Sequence, residues 1–179
     1  MYKDVGWSGD YTKIMTGNKA CMGSFNDEVS SLRVVPAGST ALANKTFYIK
    51  NGDSGLFMDT LNVEHPTANA LSQTTFAGGT NQQFTFIHHG NGVYSIASPS
   101  AKKVVSATHE DTIVQRSASR QTSSSDSIHG GQKFIALKQG RHYQFISLET
   151  QKVLVGKHGT LKQTTNHNQA TSYWELLDI

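Results

Sequence analysis

The feature of this sequence that most restricts its fold is a threefold internal repeat after residue 43. Each copy opens with an aromatic and an apolar residue two positions apart, which is the period of a strand with one face buried. An apolar residue follows nine positions later, then an apolar residue that leads to a glutamine, and each copy closes near an aromatic residue. In order of these features, the residues are Phe47/Ile49, Tyr94/Ile96 and Tyr143/Phe145; Met58, Val105 and Leu154; Leu71/Gln73, Ile113/Gln115 and Leu161/Gln163; and Phe84, Phe134 and Trp174.

The repeat predicts an all-β fold built from three four-strand units, with about twelve short strands. Glycine, serine, asparagine and aspartate separate the apolar runs, as turns require, and no segment has a sustained helical period. One such unit cannot bury its apolar face alone, whereas three units around an axis can close a barrel and share one core. Propellers usually need four to eight blades, so the pattern favours a β-trefoil.

The composition excludes several classes of protein. Apolar residues make up 36% of the chain and charged residues 16%, which is typical of a polar globular domain. The lysines and arginines that produce the net charge of +3 are scattered, which argues against nucleic-acid binding. No apolar run is long enough to span a membrane, and the polar start of the sequence does not resemble a signal peptide. Cys21 is the only cysteine, so a cytoplasmic location is compatible but the compartment stays open.

The end of each unit resembles the Q-x-W motif of ricin-B-type lectins. The three motifs are Gln82-Gln83-Phe84, Gln132-Lys133-Phe134 and the degenerate Ser172-Tyr173-Trp174. The resemblance covers about residues 43–179 and implies a carbohydrate-binding β-trefoil, which we place at residues 45–179. From the residues themselves, we expect the motif aromatics to be core side chains and the glutamines to bond the local backbone.

The same resemblance implies where a sugar could bind. In the family, an aspartate just after the apolar strand residue accepts hydrogen bonds from sugar hydroxyls, an asparagine near the motif assists, and an aromatic ring stacks on the sugar. Only the first unit keeps the aspartate, as Asp59, because the corresponding residues are Ser106 and Val155. The first unit also keeps Asn81 and Gln82 near its motif.

The stacking aromatic departs from the family pattern. The sequence after Gln73 has Thr74 and Thr75 where the family often has tryptophan, and the nearby Phe76 is the candidate replacement. We therefore predict a carbohydrate site formed by Asp59, Asn81, Gln82, Gln73 and Phe76. The alternative from the residues alone is that Asp59 only caps a turn.

Residues 1–36 do not fit the repeat and resemble a single βγ-crystallin Greek-key motif. Tyr2, Trp7 and Gly9 have the spacing of its first half, and the segment that begins at Asn26 matches its calcium signature. The resemblance implies a calcium site with ligands from Asn26, Asp27, Glu28 and Ser30. Calcium prefers six to eight oxygen ligands, which carboxylate, hydroxyl and carbonyl groups supply.

A segment of this length cannot bury a core of its own, so it needs a partner. Either a preceding motif has been cut away, or two chains pair their motifs as a homodimer. Residues 37–44 are small and polar and are predicted to be a linker. The order of modules resembles the carboxy end of vertebrate non-lens βγ-crystallin proteins, which implies a fragment of a larger protein.

The sequence contains no recognisable catalytic motif, so we predict a binding module rather than an enzyme. The leading hypothesis is a lectin-like domain that binds a glycan or glycoprotein. The first alternative is a trefoil that has lost sugar binding and serves as a scaffold for protein or cytoskeletal partners. The second is a targeting domain of a larger hydrolase or toxin.

Overall fold

The computed structural model describes residues 40–60, 71–117 and 130–179, and these contain twelve β-strands in three successive groups of four. The first unit has β1 (Thr46–Asn51), β2 (Phe57–Asp59), β3 (Ser72–Thr74) and β4 (Gln83–His88). The second has β5 (Val93–Ser98), β6 (Lys103–Ala107), β7 (Ile113–Arg116) and β8 (Phe134–Gln139). The third has β9 (His142–Ser147), β10 (Val153–Lys157), β11 (Thr160–Thr164) and β12 (Trp174–Asp178). The predicted number and grouping of strands are confirmed.

Six strands close a barrel, to which each unit contributes its first and fourth strands. The antiparallel pairs run β1–β4–β5–β8–β9–β12 and return from β12 to β1. The closed ring leaves no barrel edge open to pair with another chain. This arrangement confirms the all-β, β-trefoil prediction.

The second and third strands of each unit form a hairpin, and the three hairpins pack against the same core. They also touch one another, because Ser72 of β3 pairs with Thr160 of β11, and Thr112 bridges to Lys162. In each hairpin, one buried glutamine donates its side-chain N–H to a backbone carbonyl of the preceding unit, and for the first unit this is the third. These bonds run from Gln73 to Thr160, from Gln115 to Thr60, and from Gln163 to Thr108.

The core contains the aromatic residues that the repeat singled out. Phe84, Phe134 and Trp174 are buried, which confirms their predicted role as core side chains. Trp174 also satisfies its indole N–H, which donates to the backbone oxygen of Leu154 at 3.1 Å. Leu42, from the segment predicted as a linker, is buried in the same core. In the described part of the chain, no helix has the length and apolar character needed to cross a membrane.

A short 3-10 turn precedes each motif aromatic, and its last residue is the motif's polar member. Gln132 donates to the backbone oxygen of Ser117 at 3.0 Å, and Ser172 donates to that of His167 at 3.1 Å. Gln82 likewise bonds the chain on either side of Phe76, as described below. The prediction that the motif glutamines bond the local backbone is confirmed.

Candidate carbohydrate-binding site

Strand β2 places Asp59 on the outer face of the first unit. Its central residue, Met58, packs in the core, so Phe57 and Asp59 point to the opposite side of the strand. Asp59 is nevertheless only 4% exposed. A carboxylate removed from water to this extent requires hydrogen-bond donors around it.

Three side chains supply these donors. The Asn81 amide donates to Asp59 Oδ1 at 2.8 Å, and the Thr74 hydroxyl donates to Oδ2 at 2.7 Å. Gln82 Nε2 lies 3.2 Å from the same Oδ2. The charged acceptor strengthens these hydrogen bonds, which hold the carboxylate in one orientation.

Gln82 connects this carboxylate to the loop that carries Phe76. Its Nε2 donates to the backbone oxygen of Thr75 at 2.9 Å, and its Oε1 accepts from the backbone N–H of Ala77 at 2.9 Å. Gln82 therefore binds the chain on both sides of Phe76. The position of this aromatic residue is tied to that of Asp59 through one buried amide.

The Phe76 side chain is 56% exposed and rests against two other rings. Tyr48 meets it edge-on, with centroids 5.0 Å apart, and the Phe57 centroid lies 4.8 Å away. Because Phe57 shares a face of β2 with Asp59, the aromatic group lies on the same side of the unit as the carboxylate. An exposed apolar ring beside a fixed polar cluster has the two elements that recognition of a sugar requires.

Four of the five predicted site residues belong to this arrangement: Asp59, Asn81, Gln82 and Phe76. Gln73 does not contact it, because its side-chain amide is buried between units, where it accepts from Ser54 and donates to Thr160. The side chain of Gln73 therefore has a structural place in the contact between hairpins.

Sequence reasoning alone misses three residues of the arrangement: Tyr48, Phe57 and Thr74. Thr74 pairs with Phe57 across the β2–β3 hairpin and so lies diagonal to Asp59 on the same face. Strand alternation around Asp59 could have identified Phe57 and Thr74 once the hairpin register was known. Tyr48 comes from β1, and its contact with Phe76 carries no local sequence signal.

Part of the chain matches a known family of domains. Residues 34–122 match the family model described as ricin-type β-trefoil lectin domain-like. These findings support a ricin-type, lectin-like β-trefoil domain. Comparison with curated proteins found no match.

Solved structures share the β-trefoil fold. The designed threefold-symmetric protein ThreeFoil matches with a TM-score of 0.64 and 18% identity, over 75% of this chain and 99% of its own. An exo-β-1,3-galactanase from Clostridium thermocellum matches with a TM-score of 0.64 and 18% identity, over 75% of this chain and 30% of its own. SeviL, solved bound to asialo-GM1 saccharide, matches with a TM-score of 0.58 and 16% identity, over 76% of this chain and 98% of its own.

The second unit of the trefoil does not repeat the polar cluster. Ser106 replaces the aspartate, and Gly131 stands at the position of Asn81. The Gly131 N–H donates to the carboxylate of Glu149, which comes from the third unit. A Cβ atom at residue 131 would lie 2.4 Å from the backbone oxygen of Ala107, so an asparagine does not fit there without backbone movement.

The third unit has replaced the cluster with apolar packing. Val155, at the position of Asp59, is buried in a second hydrophobic cluster that includes Ile146 and Val153. Thr171 takes the place of Asn81. Among the described residues, the carboxylate–asparagine–glutamine set is therefore complete in the first unit alone.

The predicted calcium ligands Asn26, Asp27, Glu28 and Ser30 lie outside the described residues, as does the crystallin-like motif that contains them. Calcium binding and a homodimer through that motif stay predictions. Within residues 40–60, 71–117 and 130–179, histidine, aspartate and glutamate side chains do not cluster in threes at a distance that could hold a metal.

Proposed function

We propose that this domain binds carbohydrate at the outer face of its first unit. In this proposal, the exposed ring of Phe76 stacks on the apolar face of a pyranose, and the Asp59–Asn81 pair hydrogen-bonds to hydroxyl groups at the edge of the same sugar. The observation that carries the proposal is the link through Gln82, which ties an exposed aromatic to a buried and oriented carboxylate.

The chemistry of a sugar fits this arrangement. A pyranose has a face of C–H groups that packs on an aromatic ring and a rim of hydroxyls that donate and accept hydrogen bonds. The second N–H of the Asn81 amide can donate to a sugar hydroxyl, and the bond to Asp59 Oδ1 fixes the orientation of that amide. Both groups are held before a ligand arrives, which lowers the entropic cost of binding.

An array of mammalian and bacterial glycans, read with purified protein, tests the proposal. We expect a defined set of glycans to bind, and Phe76→Ala to weaken that binding about tenfold or more because the stacking surface is lost. Phe76 is exposed, so its truncation leaves the core intact and its effect on binding can be separated from folding. The matched control is Ile87→Ala, which removes another exposed apolar side chain away from the site.

Equal binding by the parent and Phe76→Ala would place the glycan elsewhere on the domain. A parent protein that is folded but binds no glycan on the array would contradict the proposed function itself. A loss in Ile87→Ala similar to that in Phe76→Ala would indicate a general surface effect rather than a site.

A second candidate function is a scaffold that binds protein partners without sugar. The observation that favours it is the burial of Asp59, whose oxygens already accept from three side chains of the same unit. In that case the polar cluster only stabilises the β2–β3 hairpin and the loop that carries Phe76. The scaffold function would be supported if the folded parent binds no glycan on the array and Asp59→Ala lowers the free energy of unfolding.

We further propose that the domain is non-catalytic and belongs to a larger protein, which it attaches to a glycan-bearing target. The likeness to one part of a longer chain supports this, since the match spans 30% of the galactanase chain. Sequencing the parent transcript on either side of this segment would reveal whether an effector or further crystallin motifs accompany it.

A further inference from the structure

We propose that Tyr48 is a positioning residue that holds the Phe76 ring in the orientation needed for stacking. The inference rests on the proposed function and adds a residue that the sequence does not point to. It concerns how the aromatic face is kept rigid on a segment that has no regular structure.

The segment between β3 and the following 3-10 turn, residues 75–79, contains neither helix nor strand. Tyr48 anchors it from β1, because its hydroxyl donates to the backbone oxygen of Gly78 at 3.1 Å. The same hydroxyl accepts from Gln83 Nε2 at 3.3 Å, so its own direction is set as well. Gln82 thus fixes the loop directly before and after Phe76, and Tyr48 adds a bond two residues further on, at Gly78.

The Tyr48 ring also limits the rotation of the Phe76 side chain. The two rings meet at 88°, and Phe57 lies on Phe76 at an interplanar angle of 44°. The loop backbone also passes close to the ring, since a Cβ atom added at Gly78 would be in van der Waals contact with Phe76 at 3.7 Å. An exposed phenylalanine without such neighbours would lose rotamer freedom on binding, which costs affinity.

The other two units provide an internal comparison. The residue between the paired aromatic and apolar positions is Tyr48 in the first unit, Ser95 in the second and Gln144 in the third. Ser95 and Gln144 both hydrogen-bond buried groups of their own units. The tyrosine therefore occurs in the one described unit that has the complete polar cluster, which fits a role at the site better than a general role in the fold.

The test compares Tyr48→Ser, which introduces the residue of the second unit, with Tyr48→Phe, which removes only the hydroxyl. Apparent dissociation constants are measured on the same glycan array for variants whose thermal midpoints confirm folding. We expect Tyr48→Ser to weaken binding about tenfold. Tyr48→Phe should weaken it only about two- to fourfold, because its aromatic ring still contacts Phe76. Tyr173→Ser, a half-buried tyrosine outside this group, is the matched control and should bind as the parent does.

A second readout follows the orientation of Phe76 without any ligand. With 4-fluorophenylalanine incorporated at residue 76, the fluorine resonance should be displaced from that of the free amino acid by the neighbouring Tyr48 and Phe57 rings. Tyr48→Ser should move it toward the free value. This change would not follow from a loss of global stability in a protein that remains folded.

The outcomes separate the inference from the function on which it rests. Normal binding by Tyr48→Ser, with a parent that binds, overturns the positioning role and leaves the proposed function standing. An unmoved fluorine resonance in that variant also overturns it. A folded parent that binds no glycan on the array overturns both.

Discussion

Buried polar side chains at equivalent positions of the three units have different hydrogen-bond partners. In the third unit, Ser172 replaces the motif glutamine, and its hydroxyl is too short to span the distance that an amide does. Gln144 compensates, since its Nε2 reaches the Ser172 hydroxyl at 2.8 Å and also the backbone oxygen of His167. Because unpaired buried groups are costly, the loss of one amide was accommodated by another from a neighbouring strand.

The environment of His89 lowers the pKa of its imidazole. Partial burial lowers its pKa from the ordinary value of 6.5, with smaller contributions from the charges of Lys133 and His88. The unfolded chain then binds more protons than the folded one between the lowered pKa and about pH 6.5. Stability therefore rises with pH through that window, and acidification through the same window removes this contribution.

We predict that His89→Gln reduces this dependence, because glutamine keeps a donor for the Ser95 hydroxyl, 2.8 Å from His89 Nε2, but does not titrate. Urea midpoints measured at about pH 7.5 and about pH 5.5 should fall less in the variant than in the parent. His158→Asn, at an exposed turn histidine, is the control. Equal losses in the parent and His89→Gln would show that His89 contributes nothing to the acid sensitivity.

At the scale of the element, the turn after the first strand of each unit has the same construction. A polar residue at the end of the strand accepts from backbone N–H groups two or three positions on, and these residues are Asn51, Ser98 and Ser147. Four positions later, each turn has a residue with a positive φ, namely 71° at Gly55, 51° at Lys102 and 61° at Gln151. Only the first turn uses glycine, which adopts this conformation without strain.

Two reciprocal substitutions test that account. Gly55→Ala should destabilise the protein by about 1 kcal/mol, and Lys102→Gly should stabilise it or leave it unchanged within about 0.5 kcal/mol. A Cβ atom at residue 55 meets nothing within 4 Å, so any loss comes from the backbone rather than from a clash. Free energies of unfolding from urea titrations provide the measurement. A stabilising Gly55→Ala would mean that the turn relaxes to a negative φ.

At the scale of the whole molecule, the three units are joined at the hairpins by one buried glutamine each. The amide of Gln73 donates to the backbone oxygen of Thr160 at 3.1 Å. It occupies the space beside Gly156, because a Cβ atom at residue 156 would come within 2.3 Å of Gln73 Oε1. Contacts of this kind link residues far apart in sequence, and they make the unfolding of one unit expose its neighbours.

We predict that Gln73→Ala lowers the free energy of unfolding by about 1–3 kcal/mol, because the Thr160 carbonyl loses its partner between two units. Glycan affinity of the folded variant should stay at the level of the parent. Gln169→Ala, at a half-buried glutamine within one unit, should change stability less. Loss of binding in a fully folded Gln73→Ala protein would restore Gln73 to the sugar site.

Much of the fold was predictable from the sequence because strand alternation and the repeat are local and periodic signals. Phe84, Phe134 and Trp174 recur at one phase of the repeat, and a recurring aromatic that must be shielded from water predicts a shared core. Asp59, Asn81 and Gln82 came instead from the resemblance to ricin-B-type lectins, because the first unit keeps the family's polar residues near Met58 and Phe84.

The tertiary structure alone decided which side chains of different units, and of strands distant in sequence, contact one another. The sequence assigned both Gln73 and Gln82 to the sugar site, whereas in the fold Gln73 bonds Thr160 of another unit and Gln82 bonds Asp59. The contact of Tyr48 with Phe76 and the placement of Glu149 at Gly131 depend on barrel closure. Periodicity determines which face of a strand a residue occupies, whereas the partner on that face is determined by how the strands are packed together.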